Sequence, residues 1–422
     1  MRFQWRSVVA SLACILAVTM TVPALAQMST FYVISNKAKA NTVVAFGADA
    51  TGNYTKLGEY GTGGKGTGDL EIPALKKDPT HPLANGDDPL ISANALAATD
   101  DKSHVLAVNP GDGTVALLKV KPDMSLALVS TAPASDKFPV SIAVHGSSVV
   151  VASVGKDNSS GSLSAFKLEG GKLVAVKGSR RDLKARPSTA DFSTDGRHVI
   201  VNELVSGKIH AFAHDGTTLS KAPVSTVNSP LGDGRFQAIP VGFAIKPAGD
   251  SDIVLMSEAR FLTPDFKLRA GNGEVRQSPK YSWQTSSLST YRLYDTGQLA
   301  LVTRDALTGR TKEGGEIANC WVALSKDGSA LWTANALSSS ISAFSITADG
   351  IAKLKNVRAF KLEPANLFFG DMAISANGKE LFQLIGNKGQ VLILDIGDDH
   401  TLTPKQFVTG LPQLGSYGLL VL

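Results

Sequence analysis

The chain has 422 residues, of which 43% are hydrophobic, 19% charged and 7% aromatic, with 40 glycines and 19 prolines. This composition excludes a disordered chain, which would combine low hydrophobicity with high charge. The lack of sustained Ala/Glu/Lys/Leu-rich segments argues against a helical bundle. The formal net charge of +5 is so close to neutral that we expect no nucleic-acid partner.

The first 26 residues have the pattern of a secretory signal peptide. Arg2 and Arg6 precede an apolar run, Val8–Val22, and Ala24–Ala26 resembles a cleavage site. The run is shorter than the roughly 20 residues that a membrane-spanning helix needs. We therefore expect cleavage near Ala26, which takes 26 of 422 residues and leaves 396. The mature protein would have no membrane span and would be periplasmic or secreted; an uncleaved anchor is the alternative.

The rest of the chain repeats one unit of four short strands. Each unit has an apolar strand, a turn that is often Asp-Gly, a second apolar strand, a third alternating strand and a fourth strand. Six units start near Ser92, Pro139, Pro187, Pro240, Ile317 and Phe369. The spacings are 47, 48, 53, 77 and 52 residues, and an insertion at 259–285 accounts for the longest. A period near 50 with four strands is typical of propeller blades.

The two ends of the chain complete a seventh unit. Residues 31–60 supply only three strands, and residues 416–422 can supply the missing first strand. Closure of the ring in this way removes an exposed sheet edge and holds both termini. We therefore predict an all-β fold in which residues 27–422 form a single seven-bladed β-propeller. Its blades would be four-stranded and antiparallel, and the C-terminal strand would join the N-terminal blade.

Long connections gather on one face of this predicted propeller. The connections from strand 4 to the next strand 1, and from strand 2 to strand 3, share one face, which we call the long-loop face; the opposite face is the turn face. The longest connections are of these two kinds: residues 61–91, 227–239, 259–285 and 306–316. Binding sites usually lie in long loops on a rigid scaffold. We therefore expect a ligand at the mouth of the central channel on the long-loop face.

The sequence lacks convincing motifs for nucleotide binding, for serine-hydrolase catalysis and for metal binding. Gly61–Gly66 matches G-x-G-x-x-G, but no βαβ unit follows, so a chance match in a Gly-rich loop is the better interpretation. There is no G-x-S-x-G, H-E-x-x-H or C-x-x-C. We therefore expect no metal and no cofactor. After cleavage Cys320 is the single cysteine, so it cannot form an internal disulfide.

The candidate catalytic residues interrupt the repeat near the channel mouth. Glu258 stands where other units have a small residue or Asn at the end of strand 2, and Arg260 follows it. Arg235 precedes the same blade, and Glu316 enters the next one. A carboxylate beside guanidinium groups can bind an anionic substrate and move a proton. The alternative is an ion pair between blades that closes the ring.

Three further residues are candidate substrate contacts. His81 lies in the first long loop, and Asn319 and Asp371 enter the last two blades. A solvated loop histidine is the alternative for His81.

Several stretches together carry a family resemblance: Thr62–Gly68, His104–Asn109, Pro139–Gly146, Pro240–Ala244, Ser257–Ala259, Ala318–Trp321 and Leu411–Leu419. In these the chain resembles the seven-bladed lactonase-type propeller family, which includes 6-phosphogluconolactonase-like and carboxymuconate-cyclase-like proteins. The resemblance implies metal-independent opening or closing of a lactone by polar side chains at the channel mouth. Arg235, Glu258, Arg260 and Glu316 are the residues placed to carry it.

Two hypotheses on function follow. The first is an exported, monomeric lactone hydrolase or cycloisomerase acting on a small, anionic or neutral lactone, with Glu258 as general acid or base. Arg235 and Arg260 would orient a carboxylate. The second is a non-catalytic propeller that binds a protein, a glycan or a small ligand through the long-loop face. A deep pocket lined by Arg and Glu would favour the enzyme, and a plugged channel under a flat apolar face would favour the binding protein.

Overall fold

The computed structural model describes residues 29–69, 88–157, 159–231, 235–262, 275–277, 282–309, 315–363 and 367–422. In these ranges the regular secondary structure consists of 32 strands, β1 to β32, without a helix. The described residues therefore include no helix of the length and hydropathy needed to cross a membrane.

Seven antiparallel sheets contain the blades, and each runs from an inner strand 1 to an outer strand 4. Blade 1 contains β1 (Thr30–Ile34), β2 (Thr42–Ala48) and β3 (Tyr54–Gly61), with β32 (Tyr417–Val421) as its inner strand. Blade 2 contains β4 (Leu96–Ala98), β5 (His104–Asn109), β6 (Thr114–Val120) and β7 (Leu126–Pro133). Blade 3 contains β8 (Phe138–His145), β9 (Ser148–Val154), β10 (Gly161–Glu169) and β11 (Lys172–Ala175), and β12 (Arg181–Leu183) also pairs with β10.

Blades 4 to 7 follow in chain order, and blade 5 carries the predicted insertion between its strands 2 and 3. Blade 4 contains β13 (Pro187–Phe192), β14 (His198–Glu203), β15 (Lys208–Ala213) and β16 (Ser225–Asn228). Blade 5 contains β17 (Ile239–Ala248), β18 (Ser251–Ala259), β22 (Ser287–Leu293) and β23 (Leu299–Leu307), and its insertion forms a small sheet of β19 (Phe261–Leu262), β20 (Val275–Gln277) and β21 (Ser282–Gln284). Blade 6 contains β24 (Asn319–Leu324), β25 (Ala330–Asn335), β26 (Ser340–Ile346) and β27 (Ala352–Lys361), and blade 7 contains β28 (Phe369–Ile374), β29 (Glu380–Ile385), β30 (Gln390–Ile396) and β31 (Leu402–Thr409).

The C-terminal strand closes the ring as the sequence predicts. β32 pairs antiparallel with β1, with Phe31 opposite Val421 and Val33 opposite Leu419. It also contacts the inner strands of both neighbouring blades, β28 and β4. The predicted seven-bladed propeller is therefore confirmed, including the composite blade 1.

The burial of each strand explains its sequence pattern. In blade 3 every residue of β9 is buried, and in blade 5 every residue of β18 is buried. In the outer strand β3 the first residue is buried and the others are exposed or half-buried. Second strands read as continuous apolar runs because neighbouring blades cover both of their faces, whereas an outer strand has a face in water.

The inner strands share an irregularity near the long-loop face. In six of the seven blades the inner strand carries one extra residue relative to its partner, within the intervals Pro139–Ser141, Pro187–Ala190, Pro240–Phe243, Asn319–Trp321, Phe369–Met372 and Tyr417–Leu419. A bulge leaves main-chain groups unpaired and redirects the backbone. These bulges form a ring around the axis of the propeller.

Residues 88–95, which we call the axial strap, lie inside this ring of bulges. The carbonyl oxygens of Leu90, Ile91 and Ser92 accept hydrogen bonds from the side chains of Arg186, Ser188 and Trp321. The Ile91 and Ser92 bonds are 2.8 and 3.0 Å long, and they come from blades 4 and 6.

The strap is also bonded to blade 3, where Ser92 Oγ donates to Val140 O at 2.9 Å and Asn94 O accepts from Ile142 N at 2.8 Å. Blades 3 and 6 lie on opposite sides of a seven-bladed ring, so the strap crosses the axis. The axial channel mouth, where the sequence placed a ligand, is therefore filled by the chain itself.

Deletion of Tyr417–Leu422 removes the inner strand of blade 1. We expect a loss of more than about 4 kcal/mol from the buried side chains of Tyr417 and Leu422 alone, and a lower melting temperature. Thermal unfolding followed by circular dichroism measures it. Leu414→Ser, which changes a side chain that is 40% exposed just before the strand, is the control. A truncated protein that melts with the wild type would refute the role of the closing strand.

Candidate functional site

Five polar side chains meet at the long-loop edge of blade 5. Glu258 is the penultimate residue of β18 and lies opposite Ser287, which begins β22, and Arg260 follows directly after β18. Asp305 lies near the end of β23, and Arg235 lies in the loop that enters the blade. Strand 2 ends, strand 3 begins and strand 4 ends at this edge, so the topology brings the five residues together. We call them the blade-5 cluster.

Arg260 is the buried centre of this cluster. Its Nη2 lies 3.2 Å from Glu258 Oε2 and 2.8 Å from Asp305 Oδ1, and its Nη1 donates to Phe236 O at 2.5 Å. The Arg260 and Glu258 side chains are completely buried. A guanidinium that is bonded on all sides by protein acceptors holds its partners in place and has little left to offer a ligand.

Arg235 and Asp305 form the edge of the cluster that reaches solvent. Arg235 Nε donates to Asp305 Oδ2 at 2.8 Å, and Nη2 donates to Asp305 Oδ1 at 3.0 Å. Nη2 also donates to Thr285 O at 2.8 Å. The two side chains are 9% and 14% exposed. This two-point pairing fixes the plane of the Arg235 guanidinium.

The two carboxyl groups of the cluster have pKa values shifted in opposite directions. Burial raises the pKa of Glu258, against the opposing charge of Arg260 and the hydrogen bond from Ser287. Burial also acts to raise the pKa of Asp305, but the hydrogen bond from Arg235 and the charge of Arg260 outweigh it and lower that pKa. A pair of carboxyl groups driven apart in this way is a common arrangement for acid–base chemistry.

Several buried polar atoms around the cluster have no hydrogen-bond partner in the described part of the chain. They are Glu258 Oε1, Arg235 Nη1, Thr285 Oγ1 and Asn319 Oδ1. Buried polar atoms are bonded in the great majority of cases, so such a group of exceptions requires an explanation. An ordered water molecule or a ligand would satisfy them.

The structure thus brings Arg235, Glu258 and Arg260 together, and it adds Asp305, which the sequence did not suggest. β23 has a bulge in which Arg304 and Asp305 both lie opposite Ser289. Period-two alternation therefore does not predict the direction of the Asp305 side chain. The sequence feature that could have pointed to Asp305 is its position as an acidic residue immediately before a long loop.

The sequence frame around Glu258 needs a correction. Ser257 and Asn202 make the same bond: each donates to a bulge carbonyl of the next blade, Cys320 O and Val241 O respectively. Ser257 is thus the repeat equivalent of Asn202. Glu258 matches Glu203, because both face the first proline of their inner strand. Strand 2 continues one residue beyond the Asn position in blade 4 and two residues beyond it in blade 5.

The other candidate residues lie apart from the cluster or at its border. Asn319 borders it, and its Nδ2 donates to Ser287 O at 2.9 Å. Glu316 is fully buried, and Arg358 Nε donates to its Oε1 at 2.7 Å. Asp371 lies on the inner strand of blade 7 and accepts a hydrogen bond from Gly418 N at 2.8 Å. His81 lies outside the described residues.

Within the described ranges, no group of three or more His, Cys, Asp or Glu side chains is arranged to hold a metal ion. Cys320 is buried, and burial raises the pKa of its thiol well above the ordinary value.

The fold and the cluster define a seven-bladed propeller with a filled axis and an off-axis group of charges. A family model described as "Lactonase, 7-bladed beta-propeller" matches residues 82–235. The resemblance to the lactonase-type propeller family is therefore confirmed.

Solved structures agree on the fold. The periplasmic gluconolactonase of Pseudomonas aeruginosa is 14% identical with a TM-score of 0.62, and the match covers 93% of this chain and 99% of that one. A candidate 6-phosphogluconolactonase from Bacteroides fragilis is 16% identical with a TM-score of 0.59, with coverages of 94% and 99%. At these identities the likeness concerns the fold alone. No curated protein sequence matches the chain.

Asp371 makes stability depend on pH. Burial raises its pKa to about 7, although the bond from Gly418 opposes the shift. An unfolded Asp ionises near pH 4, so the folded state favours the proton. The associated stability is present in full below pH 4 and is lost as the pH rises through about 7, by on the order of 4 kcal/mol.

We therefore expect Asp371→Asn to lack this loss between pH 4 and 8. Free energies of unfolding from urea titrations at several pH values measure it, with the exposed Asp398 changed to Asn as the control. Parallel curves for wild type and Asp371→Asn would contradict the assignment.

Proposed function

We propose that this chain is a lactone hydrolase that acts at the blade-5 cluster. One observation carries the proposal: within the described residues, a buried carboxyl with a raised pKa, Glu258, and a guanidinium, Arg235, each have a polar atom of the blade-5 cluster without a hydrogen-bond partner. A carboxylate that can take up a proton and a donor for a developing negative charge are what ester hydrolysis requires. The match to the lactonase family model supports the same chemistry.

In the proposed reaction, Glu258 Oε1 accepts a proton from a water molecule, whose oxygen then attacks the lactone carbonyl. Arg235 Nη1 donates a hydrogen bond to the carbonyl oxygen as negative charge develops on it. The bond between the carbonyl carbon and the ring oxygen then breaks, and Glu258 returns its proton to that ring oxygen. Water is added across one C–O bond, and the product is the open hydroxy acid.

The remaining candidates take supporting parts in this proposal. Arg260 holds Glu258 and Asp305 in position, because its own donors are bonded to protein. Asn319 Oδ1 would accept a hydrogen bond from a substrate hydroxyl. Glu316 and Asp371 are bonded to Arg358 and Gly418, so we assign them no chemical step. His81 stays a prediction from the sequence.

The charges of the site favour a neutral lactone. With all four groups ionised, the two arginines balance Glu258 and Asp305. Each guanidinium nitrogen of Arg260 is already bonded to protein, and among the described residues Arg235 Nη1 is the guanidinium nitrogen of the cluster without a partner. A phosphate group usually takes more positive charge than this. We therefore propose an uncharged, hydroxylated lactone as substrate.

A specific observation favours the second candidate function, a non-catalytic propeller that binds a protein or glycan. The axial strap fills the channel mouth, and the blade-5 cluster reaches solvent only through the 9% and 14% exposed side chains of Arg235 and Asp305.

We also propose that the protein acts outside the cytoplasm after cleavage behind Ala26. Expression of the full chain followed by N-terminal sequencing of the exported form is expected to give Gln27 as first residue. A product that still begins at Met1 in the membrane fraction would contradict this.

Hydrolysis of glucono-δ-lactone and of its 6-phosphorylated form by the wild type tests the activity. We expect turnover of the neutral lactone, and a loss of about 100-fold or more in Glu258→Gln. Glu203→Gln is the matched control, because Glu203 occupies the same position in blade 4. Equal turnover by Glu258→Gln would remove Glu258 from the mechanism. A wild type that hydrolyses neither lactone would favour the binding protein.

A further inference from the structure

The outer strands of two adjacent blades share an extra bulge. In blades 1, 2, 5, 6 and 7 the register between strands 3 and 4 shifts after the fourth residue of strand 3. In the described part of the chain, blades 5 and 6 alone have a second shift nearer the long-loop face. It places Asp305 in blade 5 and Arg358 in blade 6 out of regular pairing.

Each of these bulge residues pairs with a residue from the loop that enters its blade. In blade 6, Arg358 bonds Glu316 at 2.7 Å. In blade 5 the charges are reversed, and Asp305 bonds Arg235 at 2.8 Å. The two ion pairs thus have the same arrangement with the acidic and basic residues exchanged. Each pair fastens the loop that enters its blade to strand 4 of that blade.

The blade-5 copy has a feature that goes beyond fastening the loop. Asp305 Oδ1 also accepts a hydrogen bond from Arg260 Nη2 at 2.8 Å, and the same Arg260 nitrogen lies 3.2 Å from Glu258 Oε2. Asp305 therefore connects the entering loop to the buried carboxyl. Arg235 Nη1 and Glu258 Oε1, which have no hydrogen-bond partner among the residues that the structure describes, are the ends of this chain of contacts.

The Asp305 backbone is held in an unusual conformation. Its φ is +47°, in the left-handed region that residues other than glycine seldom adopt. Its N–H donates to Ser289 Oγ at 3.1 Å. Backbone strain of this kind is often found where a side chain must be aimed at a functional site.

We propose that Asp305 is a positioning residue of the blade-5 site: it aims Arg235 Nη1 at the bound carbonyl and, with Arg260, controls protonation of Glu258. This rests on the proposed function for the carbonyl, but the effect on Glu258 is independent of it. The charged and titratable groups that face Glu258 are Arg260, Asp305, Arg235 and Tyr291. The negative charge of Asp305 favours the protonated form of Glu258, and Arg260 favours the ionised form.

The test is Asp305→Asn in the full chain, with two readouts. Infrared difference spectra, with Glu258→Gln to identify the band, follow the titration of Glu258. We expect its midpoint to fall by about one pH unit, and the acid limb of the kcat/KM profile to move with it. We also expect kcat/KM to fall about tenfold above that midpoint, because Arg235 loses its two-point partner.

Asp136→Asn is the matched control. Asp136 lies in the loop that enters blade 3 and pairs with Arg180 at 3.0 Å, so the substitution removes a comparable ion pair away from the site. It should leave the Glu258 midpoint unchanged. Arg235→Lys keeps the positive charge but removes the two-point pairing of the guanidinium with Asp305. It should lower kcat/KM about tenfold, and the titration midpoint of Glu258 should change little because the charge is retained.

An Asp305→Asn protein whose Glu258 midpoint matches that of Asp136→Asn would overturn the proposal and leave Asp305 as a loop fastener. Wild-type kcat/KM in Arg235→Lys would overturn the aiming of Arg235. A wild type that hydrolyses no lactone would refute the proposed function, whereas a shifted Glu258 midpoint in Asp305→Asn would still uphold the role of Asp305 in its protonation.

Discussion

The architecture depends on the bonding of main-chain groups at the axis. Each bulge in an inner strand removes regular partners close to the long-loop face, where water is scarce, and buried carbonyl and N–H groups must be bonded. The axial strap meets this requirement with its own backbone. Consecutive carbonyls of Leu90, Ile91 and Ser92 accept bonds from blades 4 and 6, and blade 3 is bonded to Ser92 and Asn94. The strap therefore connects blade 6 to blades 3 and 4, which are not adjacent to blade 6 in the ring.

Filling of the axis affects the position of the candidate site. A ligand cannot use the part of the channel mouth that the strap occupies, so the charged groups at the edge of blade 5 become the better location. Ile91 and Ala259 belong to one buried apolar cluster, together with Ile317. The strap thus shares a core with the residue between Glu258 and Arg260. Ile91 of the strap has a φ of +52°, which is unusual for a β-branched residue. The packing of Ile91 in this apolar cluster holds the backbone in that conformation.

Repetition also clarifies what is special about the site. Blade 4 also has a buried Glu near the end of its strand 2, Glu203. Its carboxyl lies 3.3 Å from His210, so a buried Glu in this position is not unique to blade 5. Glu316 and Arg358 show that a loop-to-strand ion pair is not unique either. Blade 5 combines the two features through Arg260. Among the described residues, this combination contains two buried atoms without a hydrogen-bond partner, Glu258 Oε1 and Arg235 Nη1, and the proposed chemistry rests on these two atoms.

The sequence by itself determined the fold: spacings near 50 residues, apolar second strands and complementary ends are local patterns, and they predicted seven blades and the closing strand. It also selected Arg235, Glu258 and Arg260 as candidate site residues, because charges in an apolar repeat stand out, and these three side chains lie together in the structure. The position of Asp305 and the path of the axial strap were decided by tertiary structure alone. Both depend on bulges, which shift a strand by one residue and reverse the direction of its side chains. Such a shift depends on contacts between segments far apart in the chain, for instance Ser92 and Trp321, and leaves no periodic signal in either segment.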